Sequence, residues 1–296
     1  MLYTKHNISD LNLGKYKRFV ALGCSFTRWL WPTWSDLLAR EMPDAHYVNV
    51  ARGGAGNQYI VTMLNLLARK HNFGSETLVG IMWSTFCRQD WFVYENPKPS
   101  ELMGKPRGWH SQGNLLFSQP EDPFLNMDML EPVHFLLRDT ALISTANAYL
   151  KTAKFDTINL CSLDLPNQIP HATGQIHSYQ DPTDKLIIDI LEAYQDLDDD
   201  FVGYIQRLGE SWPENHVYPT PTDAEWNDYH PRCIDYADML EKWGLPVSAE
   251  TRDHAQNITQ KINEITDPDW GETWPYQSNC DYHDELTFYQ DHFSDT

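Results

Sequence analysis

Phe19-Val20-Ala21-Leu22-Gly23-Cys24-Ser25-Phe26-Thr27 runs four apolar residues straight into a glycine and two small side chains. That is the pattern of a buried parallel strand closing in a sharp turn, and a helical pattern follows within a few residues. In an open α/β sheet the corner after an early strand is where ligands bind, so the Ser25 hydroxyl stands where it can meet a substrate. Alone, a Gly-x-Ser more often only satisfies turn or helix-cap groups, and the surrounding chain has to weigh in.

Beyond this stretch, Trp34 to Met42 carries apolar residues at helical spacing, with Pro32 suited to its start. His46 to Ala51 reads as a second strand ending in Arg52-Gly53-Gly54-Ala55-Gly56-Asn57, Gln58 to His71 as a longer helix, and Glu76 to Trp83 as a third strand. This β-α-β-α-β rhythm predicts a three-layer α/β/α domain on a parallel, flavodoxin-like sheet. Residues 84–131, rich in Pro, Gly, Trp and Asn, break the rhythm and read as an irregular insertion that shapes a pocket. Residues 132–153 resume helix, Asp156 to Ser162 is a fourth strand, and a second variable stretch, 164–182, precedes an amphipathic helix from Asp184 to Leu197. Tyr218 to Pro231 is a polar loop, and the helix after it, Arg232 to Trp243, stops at Gly244 and Pro246. We therefore expect one domain over 1–245 and a helical, aromatic extension over 246–296, the aromatics of which either wrap back onto the domain or form a homo-oligomer contact.

The bulk numbers exclude several classes. A 296-residue chain with 41% hydrophobic and 22% charged residues has the composition of a soluble globular protein with a well-buried core. A formal charge of −20 argues against nucleic acid and anionic membrane surfaces as partners. No apolar run approaches the roughly 18 residues of a membrane span, and the start has no apolar segment of the kind that directs secretion. The five cysteines are odd in number and widely spaced, without a C-x-x-C pair, which speaks against a disulfide framework and a thiolate zinc site. A cytoplasmic location is the simplest expectation.

Three segments together resemble the SGNH (GDSL-type) hydrolases, in particular the divergent members found in bacteriophage and marine viral genomes. Gly23-Cys24-Ser25-Phe26-Thr27 is similar to the first block of that family, which carries the nucleophilic serine. Asn49-Val50-Ala51-Arg52-Gly53-Gly54-Ala55-Gly56-Asn57 is similar to the second, where an asparagine is followed five residues later by a glycine, here Gly54, whose amide helps hold the oxyanion. Asp228-Tyr229-His230-Pro231 is similar to the last, an acid and a histidine just before a proline and a closing helix. The resemblance covers roughly residues 15–245. Two departures stand out. The third block usually ends in an asparagine, and Trp83-Ser84-Thr85-Phe86-Cys87-Arg88 has none, so Ser84, Thr85 and Arg88 are the candidates for the missing polarity. Many relatives place the acid three residues before the histidine, where this chain has Asn227 and the acid stands at Asp228 instead.

What the resemblance implies is a serine esterase that cleaves a small acyl ester without metal or organic cofactor. Ser25 would be the nucleophile, His230 the base that takes its proton, and Asp228 the group that orients the imidazole. Backbone amides at Ser25 and Gly54, with Thr85, would hold the oxyanion. Asn57 reads as a helix cap or a tie between loops, with Ser84 and Arg88 as further support. Tryptophans near the motifs, Trp29, Trp31, Trp34, Trp83 and Trp91, mostly read as core, and one or two at a pocket mouth would favour a carbohydrate ester, such as an O-acetyl group.

The same residues admit other readings. Gly53-Gly54-Ala55-Gly56 lacks the endings of both nucleotide-binding glycine loops. Cys24 reads as a small buried hydrophobe rather than a thiol nucleophile. Asp281, His283, Asp284 and His292 lack a matching ligand pair for a metal, and His171 and His177 read as polar-loop residues. The rival from another class is an SGNH-like domain without activity, serving as a carbohydrate-binding or virion structural module.

Overall fold

A computed structural model of the chain describes residues 11–84, 88–93, 108–112, 132–161 and 230–263. After a 3-10 turn at Leu13–Lys15 the elements follow as β1 (Arg18–Leu22), α1 (Trp34–Arg40), β2 (His46–Asn49), α2 (Asn57–Lys70), β3 (Thr77–Trp83), β4 (Gln89–Val93), β5 (Gly108–Gln112), α3 (Pro132–Thr152), β6 (Asp156–Cys161), α4 (Cys233–Lys242) and α5 (Ala249–Asn263). Four strands form a parallel sheet in the order β2-β1-β3-β6, with Val20 opposite both Val48 and Val79, and Ile81 opposite Asn159. The chain leaves β1 to one side for β2 and returns to its other side for β3. That reversal opens a crevice beyond the carboxyl ends of β1 and β3, the switch point at which doubly wound sheets bind ligands.

Alternation along the strands builds two apolar layers. Val20, Leu22, Val79 and Ile81 meet α2 and α3 on one face. Phe19, Ala21, Leu78, Met82, Ile158 and Leu160 meet α1, α4 and α5 on the other. Strands covered on both faces have no polar side, which is why Thr77–Trp83 is buried along its whole length. Each large aliphatic side chain so covered contributes about 1.5–3 kcal/mol of transfer free energy. Gly80 lies where the Trp34 ring crosses the sheet: a Cβ there would come within 2.6 Å of the ring, so the absence of a side chain lets α1 close on β3.

Two expectations change. The stretch 84–131 is not irregular throughout, because β4 and β5 pair as an antiparallel hairpin with Trp91 opposite His110. And α5, expected to open a C-terminal extension, buries Ala255, Ile258 and Ile262 in the same layer as α1 and α4. The expected helix at Asp184 to Leu197, the loops 164–182 and 218–229 and the aromatic tail lie outside the described residues. No helix among the described residues is long and apolar enough to cross a membrane.

Candidate active site

Ser25 sits in the turn that leaves β1, closed by hydrogen bonds from the Thr27 and Arg28 amides to the Cys24 carbonyl at 2.9 and 3.1 Å. The turn is anchored at Thr27. Its carbonyl accepts hydrogen bonds from Asn49 Nδ2 (2.8 Å), Thr33 Oγ1 (2.7 Å) and Ser35 Oγ (3.1 Å), and its hydroxyl accepts one from Trp34 Nε1 (3.2 Å). Gly23 is required by this arrangement, since a Cβ there would overlap the Thr27 side chain. Asn49 also accepts from the Ala51 amide at 3.0 Å, so one buried amide side chain joins the loops after β1 and β2. None of the bonds that hold the turn uses the Ser25 hydroxyl, and the residue is 7% exposed at the switch point. Cys24 is fully buried in the apolar core, as a small hydrophobe would be.

Beyond β2 the chain turns over Arg52–Ala55, with the Ala55 amide donating to the Arg52 carbonyl at 3.1 Å. Gly54 holds the third position at φ +76°, a left-handed conformation that glycine adopts without the steric cost of a Cβ. Among the described residues, no atom beyond the adjoining residues lies within 4 Å of where a Cβ would stand at Gly53 or Gly54. The candidate oxyanion amide therefore lies on a tightly turned loop beside the corner that carries Ser25, tied to it by the Arg52 amide on the Gly23 carbonyl at 3.2 Å.

His230 reaches that corner from the far end of the chain. Its imidazole stacks on Trp29 with ring centroids 3.5 Å apart and planes 16° from parallel, and it meets Phe26, the neighbour of Ser25, at 5.1 Å. The backbone just beyond is tied to the same loop: Trp31 Nε1 donates to the Pro231 carbonyl at 2.8 Å, and Cys233 Sγ donates to the Pro32 carbonyl at 3.2 Å. Residues 230–233 and 26–32 are thus fastened together by rings and hydrogen bonds. Burial raises the Cys233 thiol well above its ordinary pKa, which leaves it a structural donor.

The supporting residues of the second and third blocks are engaged with the backbone of the loops around the corner. Asn57 takes the tie between loops: its side chain accepts from the Ser84 amide (2.8 Å) and donates to the Ser84 carbonyl and to Asp139 Oδ2 (both 3.0 Å). The capping reading of Asn57 is corrected, because it is the first residue of α2 and the cap position is Gly56. Arg88 donates to the Ala55 carbonyl at 3.0 Å and so steadies the glycine loop from outside. The Ser84 hydroxyl is buried with no hydrogen-bond partner among the described residues. Asp228, Thr85 and the alternative position Asn227 lie outside the described residues, as do His171, His177 and the group from Asp281 to His292.

The sequence reading missed a buried ionic cluster behind the glycine loop. Asp90 on β4 accepts from the Gly56 and Tyr59 amides, both at 2.9 Å, and from Ser111 Oγ at 2.5 Å. Asp139 on α3 accepts from Arg138 Nε at 2.6 Å, while Arg138 also donates to the Gln89 side chain and the Arg88 carbonyl. Burial pushes the Asp139 carboxyl up to about 6, against the opposing pull of Arg138 and Asn57 and with a further push from Asp90. The sequence held no local sign of Asp90, because Asn57 reads as the cap of the helix that Asp90 in fact caps. Comparison with protein-family models, with curated proteins and with solved structures found no match to this chain in any of the three.

Proposed function

We propose that this chain is a serine esterase of SGNH type, cleaving a small acyl ester through an acyl-serine intermediate. The observation that supports it best is the fastening of His230 onto the very loop that presents Ser25 at the switch point, across 205 positions of sequence. A serine kept only for turn geometry has no need of an imidazole packed against its neighbour Phe26.

In this reading the Ser25 hydroxyl attacks the ester carbonyl as His230 takes its proton. The carbonyl oxygen becomes an oxyanion held by the Ser25 and Gly54 amides, a donor pair of a kind where losing one member costs about 3–4 kcal/mol in related chemistry. Collapse expels the alcohol with the proton from His230, and water then repeats the sequence to release the acid. Asp228 is the acid that would orient His230, and Thr85 a further donor. The hairpin flanks the glycine loop through Asp90 and carries the half-buried Trp91 and the exposed Phe92, rings on which a sugar can lie, which favours an acylated carbohydrate as substrate. One observation favours the rival reading of a binding module: in the third block the Ser84 amide is engaged by Asn57 and the Arg88 guanidinium by the Ala55 carbonyl, so neither is aimed at a substrate.

Turnover of p-nitrophenyl acetate by the parent and by Ser25→Ala decides between them. We expect activity in the parent, its loss in the variant, and a fluorophosphonate adduct on Ser25 by mass spectrometry. Equal rates in the two proteins, with no adduct, would leave the binding module standing.

A further inference from the structure

We infer that Trp29 is a positioning residue for His230, so that the loop bearing the nucleophile also sets the plane of the base; this rests on the esterase reading above. The outer torsion of a histidine side chain is broad, so its ring plane has to be chosen by its surroundings. Stacking at 3.5 Å and 16° on Trp29, with Phe26 closing at 5.1 Å and 42°, chooses it. Both ring nitrogens lie on the imidazole edge, and a face-on partner leaves that edge to in-plane hydrogen bonds with a hydroxyl on one side and an acid on the other.

Trp29 is itself braced. Its ring meets the fully buried Trp31 edge-on at 6.3 Å and 87°, and Trp31 in turn holds the Pro231 carbonyl. Arg232 packs on the same unit, its guanidinium 5.2 Å from the Trp31 ring. Because Trp29 follows Ser25 by four residues within one anchored loop, a displacement of that loop carries hydroxyl and imidazole plane together. In a triad the carboxylate normally has the task of orienting the imidazole. Here an aromatic surface shares it, and the stacked pair sets the ring without adding a charge to the site.

The test compares the parent with Trp29→Leu, Trp29→Phe and Ser25→Ala. With p-nitrophenyl acetate we expect Trp29→Leu to lower kcat between about 10- and 100-fold with little change in KM, as misplacement of a reacting group does. Trp29→Phe, which keeps an aromatic face, should recover most of the loss. In NMR spectra the His230 ring protons, identified by their disappearance in His230→Gln, should lie upfield under the indole ring current and move downfield in Trp29→Leu. An unchanged kcat in Trp29→Leu, or a parent His230 signal without the upfield displacement, overturns the inference and leaves the esterase reading intact. The second readout stands even if Trp29→Leu fails to fold. Turnover and labelling independent of Ser25 overturn both.

Discussion

At the scale of single residues, the candidate site is legible where its residues are compressed into short motifs. Ser25, Gly54 and His230 each stand in a run of neighbours that limits what the residue can be. Asp90 and Asp139 do not: their partners Gly56 and Asn57 lie 34 and 82 positions away, and a lone carboxylate in an apolar strand or helix has no local sign of its use. Asp139 nevertheless carries a measurable consequence. Burial raises its pKa from the ordinary 3.8 to about 6, so the folded state holds this proton more tightly than the unfolded chain does. Stability from this group is therefore greatest at low pH and falls as pH rises from about 4 to about 6, because the charged form is the one that burial disfavours. Replacing it by Asn57's own side-chain type, Asp139→Asn, removes the titration. Urea unfolding across that window should show the variant gaining on the parent by roughly 2–3 kcal/mol as pH rises. Parallel stability curves for the two proteins would contradict the assignment.

At the scale of elements, helices and central strands announced themselves by periodicity, and the hairpin did not. Gln89–Val93 and Gly108–Gln112 are five residues each, and no tight-turn signal joins them across the intervening stretch. What holds the pair in place is tertiary. Asp90 supplies to α2 the cap that Gly56 lacks, accepting from the amides at the cap and third helical positions, where a negative charge also meets the positive end of the helix. Gly56 is matched to it, since a Cβ there would come within 2.7 Å of the Asp90 carboxylate. The glycine loop thus depends on an element the sequence reading treated as irregular. Asp90→Ala should cost about 1–2 kcal/mol for the lost cap, with more for the amides left buried and unpaired. Hydrogen exchange should quicken at Gly56, Tyr59 and both hairpin strands, while Asp90→Asn, which retains one acceptor, changes less. Unaltered protection at those amides in Asp90→Ala would show that the hairpin is held by something else.

At the scale of the whole molecule, the α/β order was legible because apolar strands and amphipathic helices alternate, and the misjudged part is where a polar helix hides its buried stripe. Ala249–Asn263 is mostly charged or polar, so it was assigned to an extension, yet Thr251, Ala255, Ile258 and Ile262 recur at spacings of four, three and four and all are buried. Polar contacts fix the same docking. Ser248 donates to Glu41 through its amide (2.9 Å) and hydroxyl (2.8 Å), Thr259 Oγ1 accepts from the Ile234 amide at 3.0 Å, and Arg252 bridges Asp238 and Glu241 on α4. The exposed ion pairs add little to stability, so the apolar stripe carries the attachment. This matters for the crevice, because α4 begins three residues after His230 and α5 braces it from behind. Ile258→Ala should therefore destabilise the fold by about 2–4 kcal/mol, the cost of a cavity in a packed core, whereas the exposed Gln256→Ala should stay within about 0.5 kcal/mol of the parent. Chemical denaturation followed by far-UV circular dichroism should show a single transition that moves as one in Ile258→Ala. A separate early transition, with the remainder unfolding as in the parent, would mean that α5 is an appendage after all.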